Sequence, residues 1–392
     1  MRITAVRVWR VEGGMREGDA LYEIPRLGLA PLEATPYRAT FTEIETDQGI
    51  CGLSYGGSPL VAALGASLIG EDPLQVERIW EALYYGTYTR QERMSAISVL
   101  DCALWDLAAR AHQMPVYRLF GGPTRPRVRA YAGMLGYATD PKRAAAASAQ
   151  VVAQGFTALK WYLPCNEAAG AEGLRRNVDL FRAVREAVGE DVEIMADWLL
   201  SGSTENSLLY AIRLARQLEP FQLTWIEEPL AFDAQEAHLR LARETSIPLA
   251  YGEHFYGRWQ IKQLLDLGVA SVLQPDPLLA GGISEMRRIQ AIASVYGVPV
   301  IPHGNESGYI VPHLLFSGPA AISPLCEWGI KINANVQYFC RSRYEPQGGY
   351  FLPPSQPGLG FSLAEERIEL IGKLKLPLGR AAPRFQGRVK GS

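Results

Sequence analysis

Leu223-Thr-Trp-Ile-Glu-Glu-Pro229 is the stretch from which the rest of the chain can be read. Apolar and β-branched residues run straight into two carboxylates and a proline. The pattern predicts a buried strand ending at Glu227 and Glu228, with Pro229, which has no N–H to give, stopping the ladder. Two neighbours share the design. Val192-Glu-Ile-Met-Ala-Asp-Trp198 ends at Asp197, and Pro248-Leu-Ala-Tyr-Gly-Glu-His254 ends at Glu253. The intervals fit one strand, one helix and two short loops. Three carboxylates at the same ends of successive parallel strands converge on one point, where they repel one another and require a cation. An oxygen donor set predicts Mg²⁺, one per subunit, with Mn²⁺ as the alternative.

The same rhythm extends in both directions. Strand candidates are Val128–Met134, Ala158–Leu163, Val192–Trp198, Leu223–Glu228, Leu249–His254, Ser271–Asp276, Val298–His303 and Pro324–Trp328, mostly separated by amphipathic helical stretches such as Leu180–Val188 and Ile283–Ala293. This alternation argues for an α/β fold with a closed parallel barrel. An open doubly wound sheet is the alternative, but it would concentrate polar groups at one switch point, whereas here nearly every strand end carries one. Ahead of the barrel, residues 1–56 read as antiparallel strands around a long loop from Gly13 to Tyr37. Arg16, Tyr22, Arg26 and Arg38 give that loop groups able to close over a ligand. Residues 60–122 read as helices, with Asp101 and Asp106 taken as solvated or helix-pairing charges. After residue 345 the repeat stops.

Composition narrows the classes. The chain has 392 residues, enough for two domains, and its net charge of −2 comes with no basic cluster of the kind nucleic acid demands. No apolar run approaches the roughly 18 residues of a membrane span. The five cysteines are scattered, without a CxxC pair, which fits a reducing compartment and a cytoplasmic location.

Barrel enzymes work at the C-terminal ends of their strands. Those ends read, in order, Lys160 and Tyr162, Asp197, Glu227, Glu253, Asp276, His303 and Glu327. This series, with Glu227-Glu-Pro229 and a helix around Ala96–Ala109 leading to Leu119-Phe-Gly-Gly122, resembles the enolase superfamily, mandelate racemase subgroup. The resemblance spans essentially the whole chain. It implies a modified TIM barrel, (β/α)7β, with an α+β capping domain: cap and lid loops in residues 1–125, barrel in 126–345, and a C-terminal segment, 346–392, returning to the cap. It implies Mg²⁺ on Asp197, Glu227 and Glu253, with Glu228 a supporting charge, abstraction of a proton α to a carboxylate, and a homo-oligomer, dimer or octamer.

Physical chemistry supports such roles. A proton beside a carboxylate is weakly acidic until a divalent ion neutralises the charge that develops. His303 is the base candidate, and Asp276, one strand earlier, can accept its ring N–H and raise its basicity. Glu327 can bond a substrate oxygen. Racemases of the subgroup resemble one another in a Lys-x-Lys pair, the second lysine serving as a base on the opposite face. Here the triplet is Lys160-Trp161-Tyr162, and a phenol is ordinarily protonated. That disfavours racemisation and leaves β-elimination, with Lys160 an electrostatic partner and Tyr162 a donor or acid. The triplet, Gly252-Glu-His254, Gln274-Pro-Asp276 and Pro302-His-Gly304 resemble the acid-sugar dehydratases, rhamnonate dehydratases in particular. A small sugar acid is the expected substrate, met by Arg26, Tyr22, Trp161 and His254. An epimerase or cycloisomerase of the same superfamily, and a non-catalytic barrel stapled by metal, are the other readings.

Overall fold

Alternation at the N-terminus builds a strand longer than expected. In the computed structural model, which describes residues 1–15, 36–86, 90–198, 206–304 and 308–373, β1 runs Ile3–Met15 and includes Gly13 and Gly14, which the pattern had assigned to a loop. It pairs antiparallel with β2 (Pro36–Thr46), which pairs with β3 (Cys51–Tyr55). From β1 the sheet continues to Leu370–Lys373 on the opposite edge. Arg38, expected in the lid, stands on β2 opposite Glu12 of β1, with Nε 2.6 Å from Glu12 Oε2. Cross-strand charge pairing has claimed it. Arg16, Tyr22 and Arg26 lie outside the described residues.

The helix Arg90–Ala111 covers this sheet. Ile97, Leu100, Cys102, Ala103, Leu104 and Leu107 are all buried, so more than one face of the helix is covered. A helix apolar all round belongs between two layers, and this one packs on β3 and on the helix Gly282–Tyr296. Asp101 and Asp106 are therefore buried, not solvated. Asp106 accepts the Leu53 N–H at 2.7 Å, the Leu359 N–H at 2.6 Å and the Arg110 Nε–H at 2.7 Å. One carboxylate thus joins the helix to β3 and to the C-terminal segment.

The second sheet is parallel. β4 (Val128–Gly133), β5 (Ala158–Tyr162), β6 (Glu193–Asp197), β7 (Trp225–Glu227), β8 (Leu249–Tyr251), β9 (Val272–Leu273) and β10 (Leu325–Gly329) follow the order β10-β4-β5-β6-β7-β8-β9. β11 (Tyr350–Phe351) adds antiparallel to β4, and Leu370–Lys373 is β12. The expected strand Val298–His303 is reduced to a bridge between Val300 and Leu273. Ile301 N–H donates to Leu273 O at 2.8 Å, Leu273 N–H to Pro299 O at 2.9 Å, and Val300 N–H to Ile322 O at 2.6 Å. These bonds carry the curl from β9 round to the approach of β10.

Inside the curl, Tyr131, Ala158, Met195, Trp225, Ala250, Val272, Ile301 and Leu325 form an apolar cluster of their own, with one side chain from each parallel strand and one from the bridging segment. Burying each large side chain there contributes about 1.5–3 kcal/mol. The polar strand ends stand above this plug. No helix among the described residues is long and apolar enough to cross a membrane, and all five cysteines are free thiols.

Candidate active site

Strand register places the first groups. Tyr162 pairs with Asp197, and Asp197 with Glu227, so the three share one layer. Side chains alternate along a strand. On β5, Ala158 enters the plug, so Lys160 and Tyr162 follow it inward, and Trp161 points out. The Trp161 indole is fully buried and donates to Ser148 Oγ at 3.0 Å, within the helix Pro141–Ala153. It packs β5 on its helix, and the substrate contact expected of it is excluded by this alternation.

Lys160 stands at the centre. Its Nζ lies 2.9 Å from both Glu227 oxygens, 3.2 Å from Asp197 Oδ2 and 2.8 Å from Glu327 Oε1. Burial alone would lower the ammonium pKa, but Glu227 and Glu327 outweigh it and hold Lys160 well above its ordinary value. Burial likewise opposes the charge on Glu327, and Lys160 and His303 overcome it, keeping this carboxyl below its usual range. Its Oε2 accepts the Gly304 N–H at 2.9 Å. Gln274 Nε2 donates to Glu227 Oε2 at 2.9 Å.

Glu228 takes a left-handed conformation, φ 38°, at the end of β7. The turn sends its carboxylate sideways, where Oε1 accepts the N–H groups of Gly252 (3.2 Å) and Glu253 (3.1 Å). Its Oε2 is buried and has no hydrogen-bond partner among the described residues; His254 Nε2 lies 3.8 Å away. Burial, then the charge of Glu253, with Glu227 and Asp197 adding, pushes the Glu228 carboxyl up to about 8. Glu228, Glu253 and His254 each offer a ligand atom within 4.8 Å of the others. Of the expected trio, then, Glu253 lies in this group, while Asp197 and Glu227 meet at Lys160. The reason is geometric: Glu227 is in register with Ala250, so Glu253 stands beyond that layer, past the end of β8.

The arrangement suits a hard cation. Asp197, Glu227, Glu228 and Glu253 crowd three adjacent strand ends, one carboxylate oxygen is buried without a donor among the described residues, and burial together with the neighbouring carboxylates raises that carboxyl above its usual range. Oxygen donors of this density favour Mg²⁺, and an adjacent imidazole is also compatible with Mn²⁺.

His303 faces this cluster from the far side. Its Nδ1 is 2.7 Å from Asp276 Oδ2, and its Nε2 is 3.7 Å from Glu253 Oε1. Burial would lower the imidazole pKa; Glu253, the Asp276 hydrogen bond and Glu327 prevail and raise it well above the ordinary value. The side chain is 16% exposed. The Tyr162 hydroxyl is buried without a hydrogen-bond partner among the described residues, and burial, opposed by Lys160 and reinforced by Asp197, raises the phenol well above its ordinary value. His254, 30% exposed and 5.5 Å from the Phe232 ring, stands at the rim. His238 and His313 are buried on helices away from these groups.

The curled parallel sheet, its antiparallel cap and its acidic mouth define a known class. Residues 142–367 match the family described as Enolase C-terminal domain-like, and residues 34–121 match the Mandelate racemase / muconate lactonizing enzyme, N-terminal domain. The chain belongs to the enolase superfamily, in its mandelate racemase subgroup; enzymes of that superfamily generally bind Mg²⁺. Among individual proteins, it is 32% identical over 357 residues to a D-galactonate dehydratase of Cronobacter sakazakii, covering 85% of this chain and 91% of the relative. It is 30% identical over 383 residues to an arabinonate dehydratase of Saccharolobus solfataricus, covering 94% and 98%. A crystal structure of an enolase superfamily member from Salmonella Typhimurium superposes with a TM-score of 0.82 at 26% identity, covering 95% of this chain and 99% of that one.

Proposed function

We propose that the protein is a Mg²⁺-dependent acid-sugar dehydratase, converting an aldonate to a 2-keto-3-deoxy acid. Asp197, Glu227 and Glu253 would hold the ion, with Glu228 and His254 beside them. Bound there, Mg²⁺ would supply positive charge against these carboxylates and the substrate's own, leaving His303 free to act as a neutral base. His303 Nε2 then takes the C2 proton, and Asp276 holds the tautomer and stabilises the imidazolium that forms. The electron pair of the C2–H bond moves toward C3 as the C3–O bond breaks. The departing hydroxyl takes a proton from His303 Nε2, or from the Tyr162 phenol at the opposite wall, and leaves as water. The enol left at C2–C3 tautomerises to the ketone. Lys160 neutralises the inner carboxylates, Glu327 anchors the Gly304 backbone beside His303, and His254 stands where it can meet substrate hydroxyls.

The observation that carries this reading is the asymmetry of the bases. The imidazole–carboxylate pair lies on one side, while on the other Lys160 Nζ is held by carboxylate oxygens of Asp197, Glu227 and Glu327 and the place of a second lysine is taken by the buried phenol of Tyr162. Inversion at C2 needs a base on each face, whereas elimination needs one base and one acid. The dehydratase names of the relatives support the same reaction type. Incubating the protein and Mg²⁺ with a panel of aldonates should yield semicarbazide-reactive ketoacid from at least one. Inversion at C2 without ketoacid would refute elimination in favour of an epimerase.

A further inference from the structure

Asp276 is fixed by the loop that follows it. Its Oδ2 meets His303 Nδ1, its Oδ1 accepts the Leu278 N–H at 2.6 Å, and its carbonyl accepts the N–H groups of Leu279 (3.0 Å) and Ala280 (2.7 Å). The loop closes on itself where Gly282 N–H meets Pro277 O at 3.0 Å. The orientation of the imidazole is thus coupled to the placement of residues 277–284.

That placement is imposed by the cap. Ser98 Oγ accepts the Gly281 N–H at 2.8 Å, and Trp80 Nε1 donates to Gly281 O at 2.7 Å. Asp101 Oδ2 accepts the Ser284 N–H at 2.9 Å, and its Oδ1 accepts the Ser284 hydroxyl at 2.6 Å. Trp105 Nε1 donates to that same hydroxyl at 2.8 Å. The approach is close enough to require glycine. Gly281 and Gly282 have φ of 122° and 80°, and a Cβ on Gly282 would lie 2.4 Å from Asp101 Oδ2. A buried carboxylate has a desolvation cost that apolar packing would avoid. Satisfying both donors of one residue, 183 positions away in sequence, gives it a purpose.

We propose that Asp101 is a positioning residue: through Ser284 and the 277–284 loop it sets Asp276, and through Asp276 the direction of His303 Nε2. The capping helix is then part of the proton-transfer apparatus without touching substrate. The inference rests on His303 being the base, and its test is chosen to be readable without turnover. A displacement of about 1 Å at such a remove costs on the order of 100-fold in rate.

The hydrogen-bonded His303 Nδ1–H should give a low-field proton resonance, identified by its loss in His303→Asn. In Asp101→Ala, with a cooperative melt retained, this resonance should shift or broaden, kcat on a turned-over aldonate should fall about tenfold or more, and KM should stay within about twofold. Asp101→Asn, which keeps an acceptor for the Ser284 N–H, should restore both signals in large part. A folded Asp101→Ala protein with the wild-type resonance and wild-type kcat overturns the proposal. If that variant does not fold, Ser284→Ala removes the hydroxyl alone; a weakened resonance supports the coupling, and an unchanged one overturns it. Because the resonance needs no substrate, a protein that dehydrates no aldonate would sink the functional reading while still testing this one.

Discussion

Replacing Lys160 by methionine keeps the length and most of the bulk of the side chain and removes its charge. The ammonium is buried and lies 2.8–3.2 Å from carboxylate oxygens of Asp197, Glu227 and Glu327. Removing one partner of a buried ion pair costs about 3–5 kcal/mol, because the remaining charge stays desolvated. Three carboxylates share this one cation, so the cost should fall at the upper end. At about 2.1 cal/mol/K per residue, 1 kcal/mol moves the Tm of a 392-residue chain by about 1.2 °C, which places the Lys160→Met melt about 6 °C below wild type in EDTA. Saturating Mg²⁺ should return part of the loss, since a ligand at 100 times its Kd stabilises by about 2.7 kcal/mol. Thermal and urea melts, each with and without Mg²⁺, measure both quantities. A variant within about 1 kcal/mol of wild type in EDTA would show that Lys160 does not hold the carboxylates in place.

His303→Asn should leave Mg²⁺ binding intact and abolish exchange of the C2 proton in D₂O; exchange at the wild-type rate would remove His303 from the role of base. Asp197→Ala should weaken Mg²⁺ binding at least tenfold by calorimetry, and equal affinity would contradict its place among the ligands. Burial pushes His238 and His313 down to about 4, and His313 Nδ1 accepts the Tyr117 N–H at 3.2 Å, which requires a neutral ring. Their folded pKa values lie below the ordinary 6.5, so the unfolded chain binds protons first. Their contribution is complete above about pH 6.5 and declines as pH falls toward 4. Urea midpoints should drop across that window, and less steeply in His313→Gln; parallel slopes would count against this assignment.

Strand ends were legible because burial imposes a local pattern. An apolar run halted by a carboxylate placed Asp197 and Glu227 at the ends of β6 and β7, where they stand, while Glu253 and Asp276 lie just past β8 and β9 and Glu327 lies within β10. The segment 298–303 misled, because apolar residues predict burial, and Val300 and Ile301 satisfy that with a bridge and a few backbone bonds. Trp161 was misplaced because a motif carries no sidedness; the alternation from Ala158 supplies it. Glu228 was set apart from Glu227 by the family resemblance alone, since the physical difference lies in one left-handed residue. Asp101 was hidden most deeply. In one dimension it resembles any helix charge, and its meaning depends on Ser284 being folded against it.

The ring of apolar side chains from Tyr131 to Leu325 seals the lower bore of the curl. Apart from Tyr131, whose ring lies 5.7 Å from Lys160 Nζ, the sealed end is where a protein engineer could refill the interior for heat resistance while leaving turnover intact.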